Sequence, residues 1–521
     1  MIGAKKNLPR DESMKSSLNR RSFLKSSANT GAVLGLGTLG AFAPGPALVR
    51  AGETAQELIP VHPDIEPLVR LIHETPRERV VATMIEQVRQ GLSYRRFLTA
   101  NFLAAIRYDL GGSHGVFVTH AVNQVGLDVS REEQFLPLFY HLGVLRSQER
   151  TPYLWRVADR ELPGAGKADA AFRAAMEKDD QDASIRALLA LARHEGPRRA
   201  FDRLWPYAAE RNLRSGGHTA VAVANAFRTL ETVGWEHAEP VLQFLAYECR
   251  SGGGEGTPVC RENEERSRAV AELPLEWASR RGDRSAVLEL VELFRKEASE
   301  RACRETYEQL RKGTVRAGDV WDAVFLTTAE LMIRFRWCGP SGLAGHSVTC
   351  SNALHFAFRT VAVPETRLFI LLEAVQWTTR FLTGEGPLRD LSITDIAEID
   401  APRTDSEAVE AIFGLLPPRR FFDYSRSPRV DQDRAMQLTY AMARRTPDHR
   451  LFLQTARQLL CLKSTREVHD FKFPVACFEH YQHVNPEWKP NLLAASVHYL
   501  HGTRMENAPA VQEAREALAR S

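Results

Sequence analysis

Apolar residues recur along this chain at spacings of three and four. Between Arg95 and Ile106 they fall at Phe97, Leu98, Phe102, Leu103 and Ile106, one stripe on a helix. The stretches Ala238–Tyr247 and Asp319–Ile333 show the same pattern. Strand-like alternation is almost absent, Leu391-Ser392-Ile393-Thr394 being the one weak candidate. The predicted fold class is all-α.

The helical pattern repeats. Arg89 precedes His114, Arg193 precedes His218 and Arg444 precedes His469 by 25 residues each. Arg311 precedes His346 by 35, the same spacing with 10 residues inserted around Trp337-Cys338-Gly339-Pro340. A glutamate follows each histidine: Glu133, Glu239, Glu365 and Glu487, at 19, 21, 19 and 18 residues. Fixed spacing of this kind marks a repeated supersecondary unit. The expectation is four divergent helical repeats, at about 76–150, 181–250, 298–382 and 433–503, arranged as a helical hairpin array, a solenoid or a closed α/α toroid.

Within each copy a helix A ends near the arginine. Helix B follows, 94–108 in the first copy, and stops at Gly111-Gly112, a residue type suited to a helix C-cap. Helix C opens at the histidine, over 113–125, 217–232, 345–360 and 468–483, and helix D begins at the glutamate. The glutamates suit a helix first turn and the arginines a helix end. The stretches 251–265, with its Gly-rich start, and 383–432, with Pro387, Pro402, Pro417, Pro418 and Pro428, read as linkers.

Histidine at one repeated position is where chemistry is expected first. If helices C and D form an antiparallel hairpin, His114 lies near His141, and His469 near His498 and His501. His218 then faces Glu248, and His346 faces Glu373–Gln376. Imidazoles grouped with a carboxylate suit a transition metal, iron, copper, zinc or manganese, and acid–base work near neutral pH. The candidate metal ligands are His114, His141, His218, His346, His469 and His498; the candidate catalytic groups are Glu248, His141 and His346. Equivalent positions in an open array stack about 10 Å apart. One metal therefore needs the array to close, or the copies to pair. The simpler alternative is that Gly-His caps helix C. His480 and His483, three apart, form a weaker second candidate, and Asn225 and Asn352 read as hydrogen bonds between helices.

The chain has 521 residues and a formal charge of +3. Residues 1–51 hold four Lys and four Arg against Asp11 and Glu12, so the rest is mildly acidic and no nucleic-acid partner is expected. That basic start has a reason: Arg20-Arg21-Ser22-Phe23-Leu24-Lys25 resembles a twin-arginine export signal. It is followed by a short apolar stretch and small residues suited to cleavage after Ala51. The resemblance implies passage through the twin-arginine translocase, a periplasmic or other extracytoplasmic location for 52–521, and no stable membrane span after cleavage. The seven cysteines form no CxxC pair; Cys249 and Cys260 could close a disulfide loop. GxGxxG after a strand, GxxxxGK[ST], GxSxG, HExxH and CxxCH are all missing, so Rossmann, P-loop, α/β-hydrolase and c-type haem chemistry are not indicated.

Tyr140-His141-Leu142-Gly143 and His346-Ser347-Val348-Thr349 resemble stretches of the questin oxidase-like family. The resemblance implies a largely helical fold and an oxidative, Baeyer–Villiger-type ring cleavage, carried by His141 and His346. Export would separate such chemistry from cytoplasmic NADPH. The sequence thus predicts an exported helical-repeat protein with a His/carboxylate site, a metal-dependent oxidoreductase or hydrolase on a small molecule. The alternative is a non-enzymatic helical scaffold that binds a protein or peptide.

Overall fold

A computed structural model describes residues 61–519, apart from 109, 111–112, 147–156, 214, 251–255, 335–342, 383–388, 418–429 and 465–468. The export-signal reading and Trp337–Pro340 lie outside the described residues. All regular elements among the described residues are helices, and none of these helices is long and apolar enough to cross a membrane.

Four stretches of the chain each hold four of the α-helices. The first has α1 (Arg77–Arg89), α2 (Tyr94–Arg107), α3 (Ser113–Gly126) and α4 (Leu136–Leu145). The second has α5 (Gln181–Glu195), α6 (Pro197–Glu210), α7 (His218–Val233) and α8 (Ala238–Arg250). The third has α9 (Ser299–Lys312), α10 (Ala317–Arg334), α11 (Leu343–Thr360) and α12 (Pro364–Leu382). The fourth has α13 (Val430–Arg445), α14 (Arg450–Lys463), α15 (His469–His483) and α16 (Lys489–Ser496). Local chemistry sets the starts. Ser93 accepts from the N–H of Arg96 at 3.4 Å and Asp180 from that of Ala183 at 3.0 Å, each satisfying a donor the first turn leaves open.

Helices α3, α7, α11 and α15 form the inside. Their residues are buried nearly all round, as in α7, where Thr219 through Phe227 are all covered, the mark of a helix surrounded by others. α3 packs on α7, α7 on α11, α11 on α15, and α15 back on α3. An outer layer follows the same cycle. α8 packs on α2, α12 on α6, α16 on α10, and α4 on α14. The contacts therefore run round without a break, and the first and last segments meet.

Three expectations change. Residues 391–394 form no strand; the N–H of Ile393 donates to Glu330 Oε2 at 3.0 Å and its carbonyl accepts from Asn491 Nδ2 at 2.7 Å. Buried side chains thus take the hydrogen bonds that a neighbouring strand would supply. The 383–432 stretch is not all irregular: Asp405–Leu415 is a helix, started by a capping box between Thr404 and Glu407. The helix Pro258–Arg268 likewise begins inside the first linker. Finally, Cys249 and Cys260 do not pair; all six described cysteines are buried free thiols.

Candidate metal centre

The repeated histidines come together. His218 and His469 are the first residues of α7 and α15, His114 the second of α3, and His346 the fourth of α11. Their ring centroids lie 5.2 Å apart for His114–His218, 5.0 Å for His218–His346, 5.7 Å for His346–His469 and 5.6 Å for His469–His114. Neighbouring planes cross at 68–73°, like the blades of a propeller. The order round this ring is the order of the helix cycle. Closure is what removes the spacing of about 10 Å that an open array would impose.

Glycine beside the histidine permits the approach. A Cβ on Gly217, which sits at φ +91°, would lie 2.9 Å from Cys350 Cβ and 3.1 Å from the Trp377 ring. A Cβ on Gly345 would overlap the Phe473 ring at 2.2 Å. Any larger residue would push the helix starts apart.

The four imidazoles meet a particular field. Burial lowers His218 to about 3 and takes His346 and His469 well below their usual range; the charge of Lys472 adds to each. Neutral imidazoles have lone pairs to give. Phe117 stacks on His218 at 5.4 Å and Phe473 lies 4.9 Å from His469. Lys472, 3% exposed, stands over both phenyl rings at 5.1 and 5.5 Å. His218 Nε2 is buried without a hydrogen-bond partner among the described residues, an expensive state for a nitrogen lone pair or N–H.

These residues can be tested against a metal. With metal–nitrogen bonds near 2.1 Å, four imidazoles place adjacent ring centroids about 4.6 Å apart in a square and about 5.3 Å in a tetrahedron. Two of the observed distances, 5.0 and 5.2 Å, lie inside that range, and two, 5.6 and 5.7 Å, lie beyond it. Among the described residues no three His, Cys, Asp or Glu side chains already stand in binding geometry. A contraction of about half an ångström on the two wider sides would bring all four rings to the spacing that one metal requires. The charge of Lys472 works against a cation; the lowered imidazoles of His218, His346 and His469 work for it.

His141, on α4, is fully buried, its Nδ1 3.2 Å from Asn101 Nδ2 of α2, and burial lowers it to about 3. His498 is buried in the 3-10 turn Val497–Tyr499 after α16. Glu248, on α8, acts on its neighbour Cys249, whereas the charge acting on His218 is that of Lys472. Glu373, on α12, accepts from Asn263 Nδ2 at 2.9 Å, and burial pushes its carboxyl up to about 8. Each D helix packs on its own C helix and on the preceding B helix.

The repeated arginine and glutamate meet in the second segment alone among the pairs the structure describes, where Arg193 grips Glu239 at 2.6 and 2.9 Å. Arg89 and Arg311 pair along their own helices with Glu86 and Glu308, Arg444 with Glu398, Glu133 with Arg515 and Glu487 with Arg284. These are surface ion pairs. Asn225 and Asn352 do bridge helices, Asn225 donating to the carbonyl of Phe117 at 2.6 Å and Asn352 accepting from Arg228 at 2.9 Å.

Sequence reasoning missed Lys472, Phe117 and Phe473. The signal was present: Lys472 follows His469 by three residues, and Phe117 follows His114 by three, the helical spacing that returns to one face. Compared with known proteins, the chain matches no family model, no curated protein and no solved structure.

Proposed function

We propose that His114, His218, His346 and His469 hold one transition metal ion, and that the chain is an exported metal-dependent oxidoreductase or hydrolase acting on a small molecule. The observation that carries this reading is the ring of four imidazoles, one from each inner helix, whose neighbouring centroids lie 5.0–5.7 Å apart. Bound there, iron or copper would supply one-electron redox chemistry and zinc or manganese a Lewis acid. The chain's own part is to fix the donors, exclude water and surround the centre with Phe117, Phe473 and Lys472. The resemblance to the questin oxidase-like family favours oxidation over hydrolysis. Of its two residues, His346 is in the ring and His141 is not.

Metal content measured on the chain purified after export from its own cell tests this. The expected result is about one iron, copper, manganese or zinc per chain, lost in His218→Ala and in His346→Ala and kept in His141→Ala. A wild-type protein without metal, with the variants folded and indistinguishable from it, would retire the metal site and leave the helical scaffold reading.

A further inference from the structure

At the far end of α7 from the imidazole ring lies an open cleft of about 300 Å³. Val233 on its wall is the last residue of α7, and His218 is the first, so about 22 Å of helix separates cleft from ring at 1.5 Å per residue. Three pieces of chain form it: the turn that follows His62, the start of α2, and the 3-10 turn Trp235–His237. Its volume is at the lower end of the range for small-molecule sites.

Two arginines and two carboxylates line this cleft: Arg95 and Arg96 of α2, Asp64, and Glu236. Elsewhere on the surface such groups pair, as Arg70 does with Glu66 at 2.6 Å and Arg198 with Glu231 at 3.1 Å. Here, among the described residues, neither arginine pairs with a carboxylate. Arg95 Nη2 donates to the carbonyl of Val233 at 3.0 Å, and Arg96 Nη2 to that of Asp64 at 2.7 Å. These bonds tie each guanidinium to a wall of the cleft and leave its charge uncompensated. The carboxylates stand beside imidazoles instead: Asp64 Oδ2 is 3.7 Å from His62 Nδ1, and Glu236 Oε1 is 3.9 Å from His237 Nε2. The two imidazoles meet edge to face at 6.4 Å between centroids, joining one wall to the other. Charges of both signs reach buried His237: burial lowers it, Glu236 pulls it up, and His62 and Arg95 push it down. Ile65 and Val233, both buried, add an apolar patch.

Uncompensated charge of both signs around one space selects its occupant. The two guanidinium and two carboxylate groups sum to zero. A phosphate gains from the arginines and loses to the carboxylates, and a metal cation does the reverse. A molecule that carries both charges gains from all four. We infer that the cleft binds a small zwitterion, an α-amino acid with a short apolar side chain. Its carboxylate would lie on Arg95 and Arg96, whose planar forks suit that group. Its ammonium, with three donors and no acceptor, would lie on Asp64 and Glu236, and its side chain over Ile65 and Val233. No bond is made or broken. The site stands apart from the metal ring and does not rest on it.

The test is equilibrium dialysis of the purified exported chain against 14C-labelled L-valine, with propionate, propylamine and inorganic phosphate as competitors. About one L-valine per chain should bind, and each competitor, which carries only one sign of charge, should displace it weakly. Arg95→Gln and Glu236→Gln should each weaken binding about tenfold, roughly the worth of one charged hydrogen bond, with the circular dichroism spectrum unchanged. If Arg95→Gln fails to fold, Glu236→Gln, at an exposed side chain, carries the test. His218→Ala should bind L-valine as wild type does, so this site and the metal ring stand or fall separately. A folded wild type that binds no L-valine at millimolar concentration would overturn the inference. So would displacement by phosphate or propionate as effective as by L-valine itself, the mark of a plain anion site, or zinc binding that is lost in His62→Ala, the mark of a cation site.

Discussion

Gly216 and Gly217 stand side by side at the start of α7, and replacing each by alanine separates two costs. Both have positive φ, +64° and +91°, so either alanine is forced into the left-handed region at about 1–2 kcal/mol. A Cβ on Gly216 meets nothing within 4 Å, so that is the whole expected effect. A Cβ on Gly217 would lie 2.9 Å from Cys350 Cβ and 3.1 and 3.3 Å from two atoms of Trp377. Both neighbours are fully covered, Cys350 at 0% and Trp377 at 1% exposure, and neither can swing aside. Overpacking of a tight core adds about 1–3 kcal/mol, for a total of about 2–5 kcal/mol in Gly217→Ala. Urea unfolding followed by far-ultraviolet circular dichroism measures both. The same insertion pushes His218 away from its neighbours, so metal content should fall in Gly217→Ala and hold in Gly216→Ala. Equal destabilisation by the two substitutions would refute the argument that close approach at Gly217 sets the ring.

Two further outcomes follow from the geometry. Burial raises Glu373 to about 8 from an ordinary 4.5; a raised folded value contributes stability fully present below pH 4.5 and lost as pH rises through about 8, so wild type should lose stability between pH 5 and 8 more steeply than Glu373→Gln, and parallel urea midpoints across that range would contradict it. The Arg193–Glu239 pair is 30% and 42% exposed, so a double-mutant cycle should return a coupling of only about 0.2–1 kcal/mol, with metal content unchanged in each single variant.

Helices whose period is read from neighbouring residues were legible. The reading of 94–108 becomes Tyr94–Arg107, 113–125 becomes Ser113–Gly126, and 217–232 becomes His218–Val233. The largest shift among the inner helices is at α11, which starts at Leu343, two residues ahead of the 345 read from Gly-His. Asp405–Leu415 was missed although Thr404 and Glu407 form its capping box, because the surrounding prolines were given more weight than the local start signal. Four of the six proposed ligands belong to the ring, and the repeat spacing had marked those four. His141 and His498 come from the expected C–D hairpin, and each D helix packs both on its own C helix and on the preceding B helix.

The sequence by itself determined the helices and one histidine near the start of each inner helix, because spacing along a chain fixes which residues share a helix face. The tertiary structure decided the rest. Whether four equivalent positions stand far apart or meet depends on the contact between α15 and α3, helices more than 300 residues apart in the chain, and no local periodicity specifies a contact of that range. The same closure placed Lys472 among the imidazoles and joined His120 of the first segment to Glu479 of the last. The charge of the site therefore comes from packing across the whole fold.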